Sequence, residues 1–261
     1  MANTDTFTPY ALLIGATSVP FDPSSLRVDN ENTIQEMRTG GRLSTAFYAV
    51  AKKRPMIAFS TPDPGASALD FTVFSTGVSA HYRCYATSAN FGTTYASYTL
   101  GQGIIYPVSL SGSAESPASL SLIAIGAYAT GSAVVVGTTS ASPAVMSKAY
   151  YPKTITVGSS TITLIENLSC NWAYTIDDDH VLEPEYYYYT GKDVNGSVTT
   201  RDVSEVTLAR LEDGAVESVA LTFEDRSGEG SDVTVTVGTC RVEATISGEN
   251  AEISFKLVDN S

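Results

Sequence analysis

Residues 1–148 and 149–261 read as two repeats of one β-rich plan, and this internal repetition limits the fold more than any single motif. The clearest stretch, TLGQGIIYPVSLSG at Thr99–Gly112, has its counterpart in TVGTCRVEATISG at Thr236–Gly248. Each begins Thr-apolar-Gly, continues as an alternating strand and ends apolar-Ser-Gly. A single insertion reconciles Gly101–Gly112 with Gly238–Gly248. Upstream, FSTPD ending at Asp63 aligns with VTTRD ending at Asp202, and Gly15 aligns with Gly158. The order of matches is the same in both halves. A period this long marks a duplicated unit rather than a solenoid repeat.

Either repeat is long enough to bury a core of its own. Charged residues are scarce, at 16%, and Thr, Ser, Val, Ala and Tyr are abundant, a bias that suits strands. No apolar run approaches the length of a membrane helix. The start MANTDTFTPY has neither a basic stretch nor an apolar one, so no secretion signal is expected and a cytoplasmic site of synthesis is. Cys84, Cys170 and Cys240 are odd in number, widely spaced and unmatched across the repeat, which predicts free thiols. The net charge of −13 is uneven. Eight acidic and eight basic residues cancel up to Lys148, and twenty acidic against seven basic residues follow it. An acidic surface repels phosphate, so a nucleic-acid reader is not expected.

The pattern predicts many short strands, among them Thr45–Val50, Met56–Ser60, His81–Ala86, Thr94–Leu100, Ile104–Leu110 and Leu120–Tyr128 in the first repeat. Thr154–Val157, Thr161–Ile165, Tyr186–Thr190, Val219–Phe223, Val233–Val237, Val242–Ile246 and Glu252–Val258 follow in the second. Turns are expected at DVNGS, Asp193–Ser197, and at SGEN, Ser247–Asn250, with GTTSASP at Gly137–Pro143 as the linker. Between Val28 and Arg42 lies a polar excursion, either a long loop or a hairpin arm, and the segment from Asn171 to Asp179 matches it. One short helix per repeat is expected after Asp63 and after Asp202, the second ending before Gly214. The fold class is therefore all-β with one short helix per domain: two tandem β-sandwich or barrel domains, 1–148 and 149–261.

Catalytic chemistry needs a constellation, and this chain supplies little of one. It has two histidines, His81 and His180, and neither has a nucleophile nearby in sequence. No G-x-S-x-G elbow and no phosphate-binding loop with its lysine is present. The run Asp177-Asp178-Asp179-His180 offers oxygen ligands for a hard cation, but three consecutive carboxylates on a strand cannot share one face. A solvated, interface-facing segment is the preferred reading, with no metal and no cofactor. The run Tyr186–Tyr189 is read as an interface strand, or alternatively as a sugar-stacking platform, with its rings alternating between faces. Trp172, placed in the polar excursion, is read as an interface anchor. The candidate interface residues are Glu36, Arg38, Arg42, Trp172, Tyr174, Asp177, Asp178, Asp179, Tyr186 and Tyr188.

The order of elements, carried by GGRLSTAFYAVAKKRPMIAFSTPD at Gly40–Asp63 and EPEYYYYTGKDVNGSVTTRD at Glu183–Asp202, resembles the major tail protein, or tail tube protein, of long-tailed bacteriophages. The resemblance implies domains of tail-tube type that assemble into rings stacked as a tube, with a channel through which genomic DNA passes without specific binding. With two repeats per chain, it implies trimeric, pseudo-hexameric rings, a hexamer being the alternative. It further implies a structural virion protein rather than an enzyme, located in the virion tail and assembled in the host cytoplasm. The expected partners are itself, a tape-measure protein and tail-completion proteins, with no membrane. A carbohydrate-binding module or adhesin, and another virion β protein such as a capsid decoration or tail-tip adaptor, are the alternatives.

Overall fold

The computed structural model describes residues 7–30, 33–37, 47–52, 54–87, 90–127, 134–145, 148–178, 186–204, 206, 210–211, 214–227 and 231–258, with only the backbone considered over 30–52 and 85–92. The first repeat opens with β1 (Phe7–Ile14), which turns at Gly15 into β2 (Thr17–Ser18). β3 (Arg27–Asn30) leads to a hairpin of β4 (Thr33–Met37) and β5 (Phe47–Lys52), and β6 (Pro55–Thr61) returns. A 3-10 turn at Pro64–Ala68, capped by Asp63, precedes β7 (Thr72–Phe74), β8 (Val78–Thr87), β9 (Asn90–Leu100), β10 (Gly103–Ser113), β11 (Ser119–Gly126) and β12 (Val134–Gly137).

The second repeat follows the same course. β13 (Tyr150–Val157) turns at Gly158 into β14 (Ser160–Ile162), and β15 (Ile165–Asp178) pairs with β16 (Tyr187–Thr200). β17 (Ala215–Asp225), β18 (Val233–Ser247) and β19 (Asn250–Leu257) complete it. The correspondence extends to details of the backbone. Gly15 and Gly158 take φ of +62° and +61°, the left-handed region that glycine enters at least cost. Gly15 donates its N–H to Gly77 and Gly158 donates to Ser218. Six residues earlier, Pro9 and Pro152 each coincide with a break in register against β8 and β17, because proline has no N–H to give the ladder. The Thr-x-Asp matches form the same turn. The Asp63 N–H donates to the Thr61 hydroxyl at 3.2 Å, and the Asp202 N–H donates to the Thr200 hydroxyl at 2.9 Å.

The strands form a five-stranded sheet, β12-β9-β8-β1-β2, the separate β4-β5 hairpin, and a twelve-stranded sheet ordered β14-β13-β17-β18-β19-β16-β15-β10-β11-β6-β3 with β7 beside β10. The long sheet runs without interruption from one repeat into the other. The main core is shared as well. Leu12, Val78 and Leu100 from the five-stranded sheet join Phe59, Leu120 and Leu122 of the first repeat and Ile155, Leu221, Val242 and Phe255 of the second in one buried cluster. Alternation drives this burial. Along β19, Ala251, Ile253 and Phe255 point inward while Glu252, Ser254 and Lys256 point out.

The protein is all-β, and several local expectations are corrected. Asp193–Ser197 is not a turn but the interior of β16, because Gly196 lets the ring of Phe255 and the carbonyl of Ser169 approach where a side chain would stand. Val233–Val237 and Val242–Ile246 are one strand that bends through Gly238, φ +119°, whereas the matching segment of the first repeat separates into β9 and β10. In the first repeat the expected helix is the single 3-10 turn. In the second, Arg210 and Leu211 are helical, Gly214 follows with φ +70°, and the remainder of that expected helix lies outside the described residues. The excursion at Val28–Arg42 contains β4, which forms a hairpin arm with β5 beyond it.

Candidate functional site

The two repeats meet strand to strand. Ser109–Ser113 of β10 pairs antiparallel with Asn167–Asn171 of β15, placing Leu110 opposite Cys170 and Ser111 opposite Ser169. Leu110 and Cys170 are wholly buried, and Leu168 nearly so. On the other face a polar row continues across the junction. Ser111, Ser169, Ser197 and Ser254 stand opposite one another on successive strands, and Glu243 ends the row. Further hydrogen bonds lock the junction: the Ala114 N–H donates to the Glu166 carbonyl at 3.0 Å, and Arg226 donates to the Ala114 carbonyl at 2.9 Å.

Beyond Asn171, β15 and β16 leave β10 and lie as an arm across the first repeat. Ile176 and Tyr187 pack on Met56, Ile104 and Ile125 in a second apolar cluster. The Tyr187 hydroxyl donates to the Gly126 carbonyl at 3.0 Å, and burial pushes its pKa well above the usual tyrosine value. Arg54 reaches Asp178 at 3.3 Å and lies 5.9 Å from the centre of the Tyr187 ring. Beside them Tyr106, Tyr174 and Tyr189 surround Phe71, with Phe71 and Tyr189 edge to face at 4.8 Å. Lys192 pairs with Asp70 at 2.5 Å along the margin of this aromatic group.

The predicted interface residues therefore divide. Tyr174, Asp178 and the buried Tyr187 join the repeats within one chain. Asp177 faces the opposite side of β15, and Tyr186 and Tyr188 are exposed. Trp172 does not lie on a loop. In CNWAYT, Cys170, Trp172 and Tyr174 alternate inward while Asn171 and Ala173 alternate outward, so Trp172 sits in the main core at 7% exposure. The polar neighbours concealed a strand of period two. Glu36 occupies a backbone position on β4, and Arg38, Arg42 and Asp179 lie outside the described residues. Sequence reasoning missed Arg54 and the junction strand Asn167–Asn171. The match of that strand to β3 was the available signal.

His81 is buried and its Nδ1 bonds the Thr139 carbonyl at 2.9 Å. Among the described residues no group of three His, Cys, Asp or Glu stands together to hold a metal, and no helix is long and apolar enough to cross a membrane. The three cysteines are buried and form no disulfide.

Both ends of the inter-repeat arrangement have open counterparts. β3, which holds the place of β15 in the first repeat, ends the long sheet, and among the described residues nothing pairs with its outer edge. In the second repeat Thr245–Ser247 holds the place of Ser109–Ser111 in the junction, and among the described residues Glu243–Ser247 pairs with β19 alone, since the pairing of β17 ends at Val242. Comparison of the sequence with models of known families and with curated proteins returns no match.

Proposed function

We propose that this chain is a structural, self-associating protein and not an enzyme: the subunit of a phage-type tail tube, in which three chains close a ring of six repeats and rings stack into a channel for genome passage. The observation that carries the reading is the edge-to-edge junction of β10 and β15, together with the edges of β3 and Glu243–Ser247 that stay open among the described residues. A junction made once inside the chain, with a donor edge and an acceptor edge left over, is the arrangement a ring requires. Exposed edges of this kind are a liability in a monomer and are removed by closure. Association through two different surfaces is head to tail, and it ends when the rotation closes. The acidic second repeat, presented three times per ring, disfavours adhesion of DNA. In this reading the protein belongs to the virion tail and works with a tape-measure protein and tail-completion proteins.

Negative-stain microscopy of the concentrated protein tests the reading. Rings or tubes with a central hole are the expected outcome. Persistent monomers at high concentration, with no assembly on adding virion components, would remove it. Glycan binding lost on Tyr186→Ala or Tyr188→Ala would favour an adhesin instead.

A further inference from the structure

We infer that a second copy of this chain docks its strand β3 on the open edge Glu243–Ser247, with Val28 opposite Ile246, and lays its β4-β5 arm over the adjoining trough of the second repeat. The inference rests on the self-assembly reading and gives it a surface and a register.

The register follows from positions that the two repeats share. Leu110 lies opposite Leu120, which lies opposite Thr61. Ile246 lies opposite Ala251, which lies opposite Thr200. Thr61 and Thr200 are the matched threonines, so Ile246 holds the place of Leu110. Likewise Val28 pairs with Ile57, four residues before Thr61, and Cys170 pairs with Gly196, four residues before Thr200. Val28 therefore holds the place of Cys170. Within the chain Leu110 faces Cys170 and is 0% exposed, whereas Ile246 is 45% exposed. A β-branched apolar residue on an unpaired edge next to the core is a seam awaiting a strand.

The arm follows the same correspondence. On β15-β16 the register slips between Thr175 and Ile176, and on β4-β5 it slips between Thr33 and Ile34. After the slip Ile34 pairs with Val50 as Ile176 pairs with Tyr189, and Glu36 pairs with Tyr48 as Asp178 pairs with Tyr187, so Ile34, Glu36 and Tyr48 hold the register positions of Ile176, Asp178 and Tyr187. In the first repeat, Ile176 and Tyr187 cover Met56, Ile104 and Ile125. The matching positions in the second repeat are Asn195, Arg241 and Lys256, and they line an open trough of about 600 Å³ with Ser197, Glu243 and Ser254. One arm thus has a seat within its own chain, and the corresponding seat lies open. The trough is polar where the filled seat is apolar. It carries Arg241, paired with Glu243 at 3.0 Å, and Lys256, paired with Asp193 at 3.4 Å. A glutamate at the register position of Asp178 gives the arm a negative charge to set against these two cations.

Disulfide trapping tests the register. Residues directly opposite on antiparallel strands have Cα atoms about 4.5–5.5 Å apart, within the span of a disulfide. The native thiols compete poorly, since burial pushes Cys170 up to about 12 and Cys240 up to about 11. The double variant Val28→Cys, Ile246→Cys is oxidised and run on a non-reducing gel. Covalent oligomers ending in a closed three-chain species are expected. Val28→Cys with Glu243→Cys, out of register, should give none. Particles in stain without cross-links in the first variant would overturn the register while leaving self-assembly intact. Absence of particles from the unaltered protein would overturn both. Ile246→Lys, at an exposed site, should keep the thermal unfolding of the monomer and abolish particles. Unchanged particles would refute the proposed edge.

Discussion

Arg210, 2% exposed, holds Glu217 through both Nε and Nη2, at 2.7 and 2.9 Å, while Nη2 also donates to the Val157 carbonyl at 3.1 Å. This clamp fastens the segment before β17 to the β13-β14 turn, where Gly158 stands so close that a Cβ would lie 2.6 Å from Glu217 Oε1.

Removing one partner of a buried pair leaves the other uncompensated, which costs about 3–5 kcal/mol. Glu217 is a quarter exposed, so Arg210→Ala is expected near the low end, about 3 kcal/mol. Urea unfolding of Arg210→Ala, Glu217→Ala and the double variant measures the coupling. Additive losses would show that the clamp contributes nothing.

Gly196 lies under Phe255, and an added Cβ would come within 2.4 Å of both the Phe255 Cζ and the Ser169 carbonyl oxygen. Overpacking of this kind costs about 1–3 kcal/mol. Gly196→Ala is expected to lose that amount in a denaturant midpoint. Adding Phe255→Leu should recover part of it, because the ring is one of the two obstacles. No recovery would place the whole cost on the backbone of β15.

Trp172 is the single tryptophan, and its burial gives a direct optical test. Its emission should be blue-shifted and resist acrylamide in the dilute monomer, and it should change little on concentration. Emission typical of a solvated indole, quenched until assembly, would return Trp172 to the role of an interface anchor. Trp172→Ala should cost about 3–5 kcal/mol.

Asp202 accepts hydrogen bonds from Ser204 and Thr163, and these hold its carboxyl below the usual aspartate range. A depressed pKa contributes stability above the pKa of the unfolded chain, about 3.9, and that contribution is lost as pH falls through the lower folded value. Unfolding midpoints from pH 5 down to pH 2 should therefore fall less steeply for Asp202→Asn than for the unaltered protein. Parallel curves would show that the Asp202 bonds do not favour its ionised form.

Much of the strand plan was legible because matched residues repeat a local requirement. Gly15 and Gly158 serve the same left-handed turn, and Thr61-Asp63 and Thr200-Asp202 close the same bend. The SGEN turn lies at Gly248, as its composition indicates. Trp172 and Gly196 were misread because each needs a neighbour to explain it: the core on one face of β15, and the ring of Phe255 over β16. The site was less legible still, since Leu110 and Ile246 have equivalent sequence contexts and opposite exposures.

By itself the sequence determined an all-β chain, its internal repetition, its turns and its uneven charge. These depend on alternation, on glycine at positive φ and on side-chain chemistry, all of which act within a few residues. Only the tertiary structure decided that β10 pairs with β15, that the β15-β16 arm covers the first repeat, and that one core serves both. Pairing between strands more than fifty residues apart depends on which edges remain free after the local hairpins have formed, and on which apolar faces they still leave uncovered.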